Sequence, residues 1–299
     1  MEWLILFLIV PVIVVPVVVL YGYAGCTFHA PLPADPEPPA DPTNLRVTDI
    51  QADSVTLEWD YLNPSPDPVT FEIQRDGVAL PPSVPPLTGT THTDSGLEPE
   101  TTYAYRVTAI RSSDNTRSGP SNEVMAATLP WETVFTTAGI PPNPGNGDNQ
   151  ANNCIVQRIN GLARGGRFVR VTLRGIVNET TVLTAVTVSR AVPAGSPQPY
   201  NSADAPKTVT FAGASAVTLL NGEVKTSDKV AYDPPLVQGQ DLLVAFNVGA
   251  GSGRILRRIV TGALAFIGNN LAEAAAMNRS AGYNTQSDRV YCIELIEVA

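Results

Sequence analysis

Thr102-Tyr103-Ala104-Tyr105-Arg106-Val107-Thr108-Ala109-Ile110 is the stretch that decides the fold class. Side chains of a β-strand point alternately to opposite faces, so a two-residue period marks a strand with one face turned to a core. Upstream, Leu45-Arg46-Val47-Thr48, Ser54-Val55-Thr56-Leu57-Glu58-Trp59 and Val69-Thr70-Phe71-Glu72-Ile73-Gln74-Arg75 read the same way. Asp76-Gly77 follows the last of these as a hairpin-turn pair, and residues 121–128 supply a closing strand. Short strands separated by turn chemistry predict an all-β sandwich over residues 42–129.

Composition extends that reading to the whole chain. Charged residues are 16% of 299, with 27 prolines and 23 glycines, a mixture suited to many turns and few helices. The formal charge of -9 is lopsided: residues 1–130 hold 5 basic and 16 acidic side chains, and residues 131–299 hold 14 and 12. A net-acidic chain lacks the broad basic field that nucleic-acid binding requires, so no nucleic-acid partner is expected. The arginine-rich stretch of Arg158, Arg164, Arg167, Arg170 and Arg174 reads as solvated strand faces plus a loop.

Within residues 42–129 three features resemble a fibronectin type III domain. Trp59 ends the second strand as a core tryptophan, and Gly96-Leu97-Glu98-Pro99-Glu100-Thr101-Thr102-Tyr103 resembles that family's run into its sixth strand. Gly119-Pro120-Ser121-Asn122-Glu123-Val124 resembles the approach to its last strand. The resemblance implies that Tyr103 is a corner tyrosine whose hydroxyl bonds upstream backbone. It implies a fold and not an activity, and the module reads as a rigid spacer. His92 reads as a surface or rim histidine.

The N-terminus predicts membrane engagement. No charge occurs from Trp3 to Cys26, and residues 4–20 are almost wholly aliphatic, long enough to cross a bilayer as a helix. Ala24-Gly25-Cys26 resembles a bacterial lipobox, which implies lipidation of Cys26; an uncleaved signal anchor over residues 1–26 is the other reading. Residues 27–41, with five prolines, read as an extended spacer. Either way the folded modules are expected outside the cytoplasm, at a cell surface or in a periplasm.

Residues 131–299 predict a second sandwich of jelly-roll type from nine candidate strands: 155–159, 167–175, 182–190, 207–211, 216–220, 225–231, 241–248, 255–260 and 289–298. Leu271 to Met277 is the one helix-like stretch. The segments 168–173, 207–213 and 241–246 resemble the sandwich that precedes the catalytic domain in some secreted SGNH-type esterases, and modules of bacterial surface or phage-associated proteins. That resemblance implies an accessory domain suited to glycan binding. Cys154 and Cys292 lie near the two ends of this module and predict a closing disulfide, with two buried free thiols as the rival reading.

No histidine occurs in residues 131–299, so a serine–histidine–aspartate arrangement has no imidazole there, and a non-enzyme without cofactors is expected. Asp148, in the oxygen-rich run Asn143 to Gln150, is the only carboxylate a calcium ion would find in that loop. Trp131, Tyr200 and Tyr232 are the candidate ligand-stacking aromatics, the two tyrosines read as exposed loop platforms. The expected function is membrane-anchored display of a sandwich that binds a glycan or surface protein. A structural component of a phage-like or surface assembly, built from copies of itself, and a non-catalytic esterase accessory chain are the alternatives.

Overall fold

The computed structural model describes residues 37–63, 67–141, 147–270, 273–280 and 282–299. The anchor segment, Cys26, His29 and most of the spacer lie outside the described residues, and no described helix is long and apolar enough to cross a membrane.

Strands β1 (Thr43–Ile50), β2 (Ser54–Asp60), β3 (Val69–Arg75), β4 (Val78–Ala79), β5 (Thr91–Ser95), β6 (Thr102–Arg111), β7 (Arg117–Pro120) and β8 (Val124–Ala127) build the first sandwich. One sheet has the order β1-β2-β5; the other is β4-β3-β6-β7, with β8 also on β6. The two-residue period of β6 is realised: Tyr105, Val107 and Ala109 are fully buried with Trp59, Leu57 and Ile73 in one core. Tyr103 accepts a hydrogen bond on its hydroxyl from the Glu98 amide at 3.0 Å, the corner bond implied by the resemblance. Asp94 points inward from β5 and takes bonds from the Tyr105 hydroxyl at 2.9 Å and Arg75 at 2.8 Å. A buried carboxylate is tolerable because it is bonded and paired.

The second sandwich follows with β9 (Glu132–Thr136), β10 (Gly147–Asn149), β11 (Cys154–Ile159), β12 (Gly166–Arg174), β13 (Thr180–Arg190), β14 (Lys207–Thr208) and β15 (Val217–Leu220). It continues with β16 (Val224–Thr226), β17 (Val230–Leu236), β18 (Leu242–Val248), β19 (Arg254–Gly268), β20 (Asn284–Tyr291) and β21 (Ile293–Val298). The larger sheet runs β10-β19-β11-β18-β13-β14, with β15 on β13 and β20 on β19. The smaller runs β16-β12-β21-β9, with β17 on β12. All strand pairs are antiparallel and the core lies between the sheets. The chain is thus all-β, a fibronectin-type sandwich followed by another sandwich.

The stretch 289–298, read as one strand, is two. Cys292 sits between them at φ 55°, in the left-handed region that non-glycine residues rarely adopt. Its amide donates to Leu256 of the larger sheet at 3.1 Å, and its carbonyl accepts from the Arg174 amide of the smaller at 2.7 Å. The chain therefore changes sheets at this residue. Two residues on, the Glu294 carboxylate accepts from Arg258 of β19 at 2.6 Å and from Arg174 of β12 at 2.9 Å.

Cys154 and Cys292 do not form the expected disulfide. Both thiols are free and buried, and they lie in different clusters. Cys154 shares the outer face of the larger sheet with Val156, whereas Ile155 and Cys292 belong to the core between the sheets. The strand period therefore places the sulfurs on opposite sides of a sheet. Burial pushes the Cys154 thiol up to about 11 and the Cys292 thiol up to about 12.

That outer face is itself covered, which the alternation of single strands could not reveal. Tyr200 and Ala274 pack on it from two connecting segments. The helix-like stretch is not helical where described: the Glu273 carbonyl takes the Ala276 amide at 3.0 Å in a turn, and Arg279, 3% exposed, donates to the carbonyls of Glu273 and Ala274 at 3.1 Å each. The β12 strand, read as having one wet face, has Phe168 and Thr172 buried there and Arg170 and Arg174 ion-paired.

Two outcomes follow from this packing. Both described thiols are expected to resist Ellman's reagent in the native protein and to titrate without reductant after unfolding in urea; a Cys154–Cys292 cross-link on non-reducing peptide mapping contradicts the assignment. Glu294→Gln strands the buried Arg258 without its counter-ion and is expected to cost about 3 kcal/mol in urea unfolding at pH 7. Burial pushes the Glu294 carboxyl up, but the Arg174 and Arg258 guanidinium groups outweigh it and hold its pKa below the usual carboxylate value. That contribution is therefore complete above the unfolded-state pKa of about 4.3 and is lost as pH falls through the folded one. The gap between wild type and E294Q is expected to close in acid below about pH 4.

Candidate functional site

Two of the three aromatic candidates, Tyr200 and Tyr232, are buried in the fold. Tyr232 is 0% exposed, because it alternates with Val230 on the core side of β17; the exposed positions of that strand are Ala231 and Asp233 to Pro235. Tyr200 is 7% exposed and stacks on Tyr283 at 4.6 Å. Neither is the exposed platform read from its loop-like neighbours. Trp131 is half-buried, with the Arg170 guanidinium 4.4 Å from its ring centre. Arg170 is held there by a bidentate pair with Glu297 at 2.6 and 2.9 Å, so one face of the indole is occupied.

Asp148 is taken up by side chains rather than left open to a metal ion. Its carboxylate accepts from Arg257 at 2.5 Å and from the Tyr291 hydroxyl at 2.8 Å, with Arg289 at 3.5 Å. Two guanidinium groups repel calcium, and no group of three or more metal-ligating side chains occurs among the described residues. Arg158, read as solvated, is 2% exposed: it pairs with Asp241 at 2.6 Å and donates to the carbonyls of Pro199 and Val192 at 2.8 Å each. His92 lines a hollow of about 510 Å³ in the first sandwich with Phe71, Ile73, Leu80 and Leu87, and burial holds its pKa below the usual imidazole value.

A concave feature with hydroxyl and charged side chains in its lining lies elsewhere, where the two sandwiches meet. The connection between them is short. The Leu129 amide donates to Gln51 at 3.2 Å, and its carbonyl accepts from Glu100 at 3.2 Å; β9 begins three residues later. Among the described residues, two ion pairs cross the boundary. Glu98 meets Lys229, whose ammonium also lies 4.5 Å from the Phe168 ring centre, and Asp53 lies 3.7 Å from Arg167. Glu98 is fixed at the backbone, its amide bonded to Tyr103 and its carbonyl accepting from the Thr128 hydroxyl at 2.7 Å.

A cleft of about 350 Å³ opens beside these pairs. Ser54, Thr93 and Ser95 form one wall. They point outward from β2 and β5 in register, Ser54 opposite Ser95 and Thr56 opposite Thr93. Glu132, Arg164 and Arg167 line the other side, with the exposed Leu129 and Pro130 supplying apolar surface. Glycines allow the approach that places the arginines: a Cβ on Gly165 would lie 2.3 Å from the Leu236 carbonyl oxygen, and one on Gly166 2.6 Å from that of Ala299. Arg164 pairs with Glu132. The Arg167 guanidinium makes no hydrogen bond among the described residues and lies 3.7 Å from Asp53 and 4.0 Å from Asp233. None of these residues except Arg164 and Arg167 stood out in the sequence, because they come from segments far apart in the chain and each is ordinary on its own strand.

Comparison with known proteins fits the first sandwich. The family described as fibronectin type III domain matches residues 40–124. An alpha-amylase of Niallia circulans is 39% identical over 85 residues, which are 28% of this chain and 6% of that enzyme. Chitinase C of Streptomyces lividans is 34% identical over 114 residues, 38% of this chain and 16% of that enzyme; chitinase A1 of Niallia circulans is 37% identical over 119 residues, 40% and 14%. The chain thus spans less than a fifth of the length of these relatives. Sequence, strand order, core tryptophan and corner tyrosine agree: residues 40–124 are a fibronectin type III domain.

Proposed function

We propose that this chain is a non-catalytic, membrane-tethered protein that displays a second β-sandwich outside the cytoplasm on a fibronectin type III spacer, and that it binds polysaccharide there. The observation that carries the reading is the match itself. What the chain has in common with much longer enzymes is a small share of their length, and that share includes a fibronectin type III domain. Those relatives are chitinases and an alpha-amylase, names that put their working surface on polysaccharide, so a module in common with them fits a protein that works on such a surface. The absence of histidine from residues 131–299 removes the usual general base for serine nucleophiles from the second sandwich. Its buried arginines, Arg158, Arg258 and Arg279, are engaged in holding sheets and loops together. The uncharged segment from Trp3 to Cys26 supports the tether, and lipidation of Cys26 would supply it where cleavage occurs.

The reading is tested on the full chain in membranes. Intact protein is expected to pellet with insoluble chitin or to bind oligosaccharides on a glycan array, and to release no reducing sugar over a day. Hydrolysis above the buffer blank overturns the non-catalytic part, and failure to bind any glycan overturns the binding part. For the tether, Cys26→Ser is expected to leave an unprocessed N-terminus by mass spectrometry where wild type begins at a lipidated Cys26.

A further inference from the structure

We infer that the cleft between the two sandwiches is a binding site for a neutral saccharide; the assignment rests on the polysaccharide-binding reading above and names its site. A sugar ring offers hydroxyls that both donate and accept, and C–H faces that prefer apolar contact. The cleft presents the counterparts of each. Ser54, Thr93 and Ser95 give hydroxyls of the same dual character on one wall, and Arg167, ion-paired at 3.7 Å with Asp53, gives guanidinium N–H groups that make no hydrogen bond to the protein among the described residues. Asp53 and Glu132 supply acceptors, and the exposed Leu129 and Pro130 supply apolar surface. A volume of about 350 Å³ is at the small end of the range for ligand sites, which run from about 300 to 1,000 Å³.

Charge selects the class of sugar. The two carboxylates of Asp53 and Glu132 face the two guanidinium groups of Arg164 and Arg167, so the lining carries no excess of either sign from its side chains. An acidic sugar would gain at Arg167 and lose at Asp53 and Glu132, while a neutral one meets donors and acceptors without that conflict. The site is also composite. Its hydroxyl wall belongs to the fibronectin type III domain and its arginines to the second sandwich, held together by Glu98–Lys229 and a four-residue connection, 128–131. Because both walls are placed before a ligand arrives, little ordering remains to offset the contacts.

The experiment uses the full chain with neutral gluco- and chito-oligosaccharides and uronate oligosaccharides as probes, in an array followed by calorimetry. Neutral sugars are expected to bind, with affinity little changed between 50 and 500 mM salt. Arg167→Ala, and separately the double variant T93V/S95A, are each expected to weaken binding at least tenfold with the unfolding midpoint unchanged. Neutral-sugar binding that both variants retain at wild-type affinity overturns the cleft assignment and leaves the polysaccharide reading intact. Preferred binding of uronates with a steep salt dependence also overturns it. Failure of every probe to bind overturns this inference together with the reading it rests on.

Discussion

The second sandwich depends on a crossing. At Cys292 the chain leaves the larger sheet for the smaller, and the backbone of that single residue is bonded to both, to Leu256 on one side and Arg174 on the other. Glu294 repeats the connection with its side chain, joining Arg258 and Arg174 from opposite sheets. Two sheets stacked face to face are otherwise held by non-directional burial, which fixes separation better than registry. Directional bonds at the crossing supply the registry. A left-handed residue without a glycine costs about 1 kcal/mol, and here the surrounding bonds over-determine it.

The junction between the sandwiches uses the same economy on a smaller scale. The corner bond from the Glu98 amide to Tyr103 belongs to the interior logic of the fibronectin type III fold, yet it also fixes the residue whose carboxylate reaches Lys229. Surface ion pairs of this kind contribute about 0–1 kcal/mol each. Their effect here comes from the short connection: with Leu129 bonded in both directions, little freedom is left for such pairs to restrain. Module boundary and candidate site thus coincide, with one wall of the cleft contributed by each sandwich.

Legibility differed between the modules for a physical reason. In the first sandwich the β6 strand buries one face and wets part of the other, so its period spelled out which residues entered the core, and Trp59 and Tyr103 could be placed from sequence. In the second, central strands of the larger sheet are covered on both faces, and β18 is buried at every position. A strand buried on both sides carries no alternation to read. The expected disulfide rests on Cys154 and Cys292 lying near the two ends of the module, and the Tyr200 platform on its loop-like neighbours; neither signal reports the second layer that covers that face.

The sequence by itself determined that the chain is all-β, where most strands lie, and that residues 40–124 adopt the fibronectin type III fold, because these rest on local periodicity and on motifs read within a few residues. Only the tertiary structure decided which charges are buried, that the two described thiols lie on opposite faces of a sheet, and that Ser54, Thr93 and Arg167 line one cleft. Burial and concavity depend on what packs against a face, and the packing partners come from distant parts of the chain.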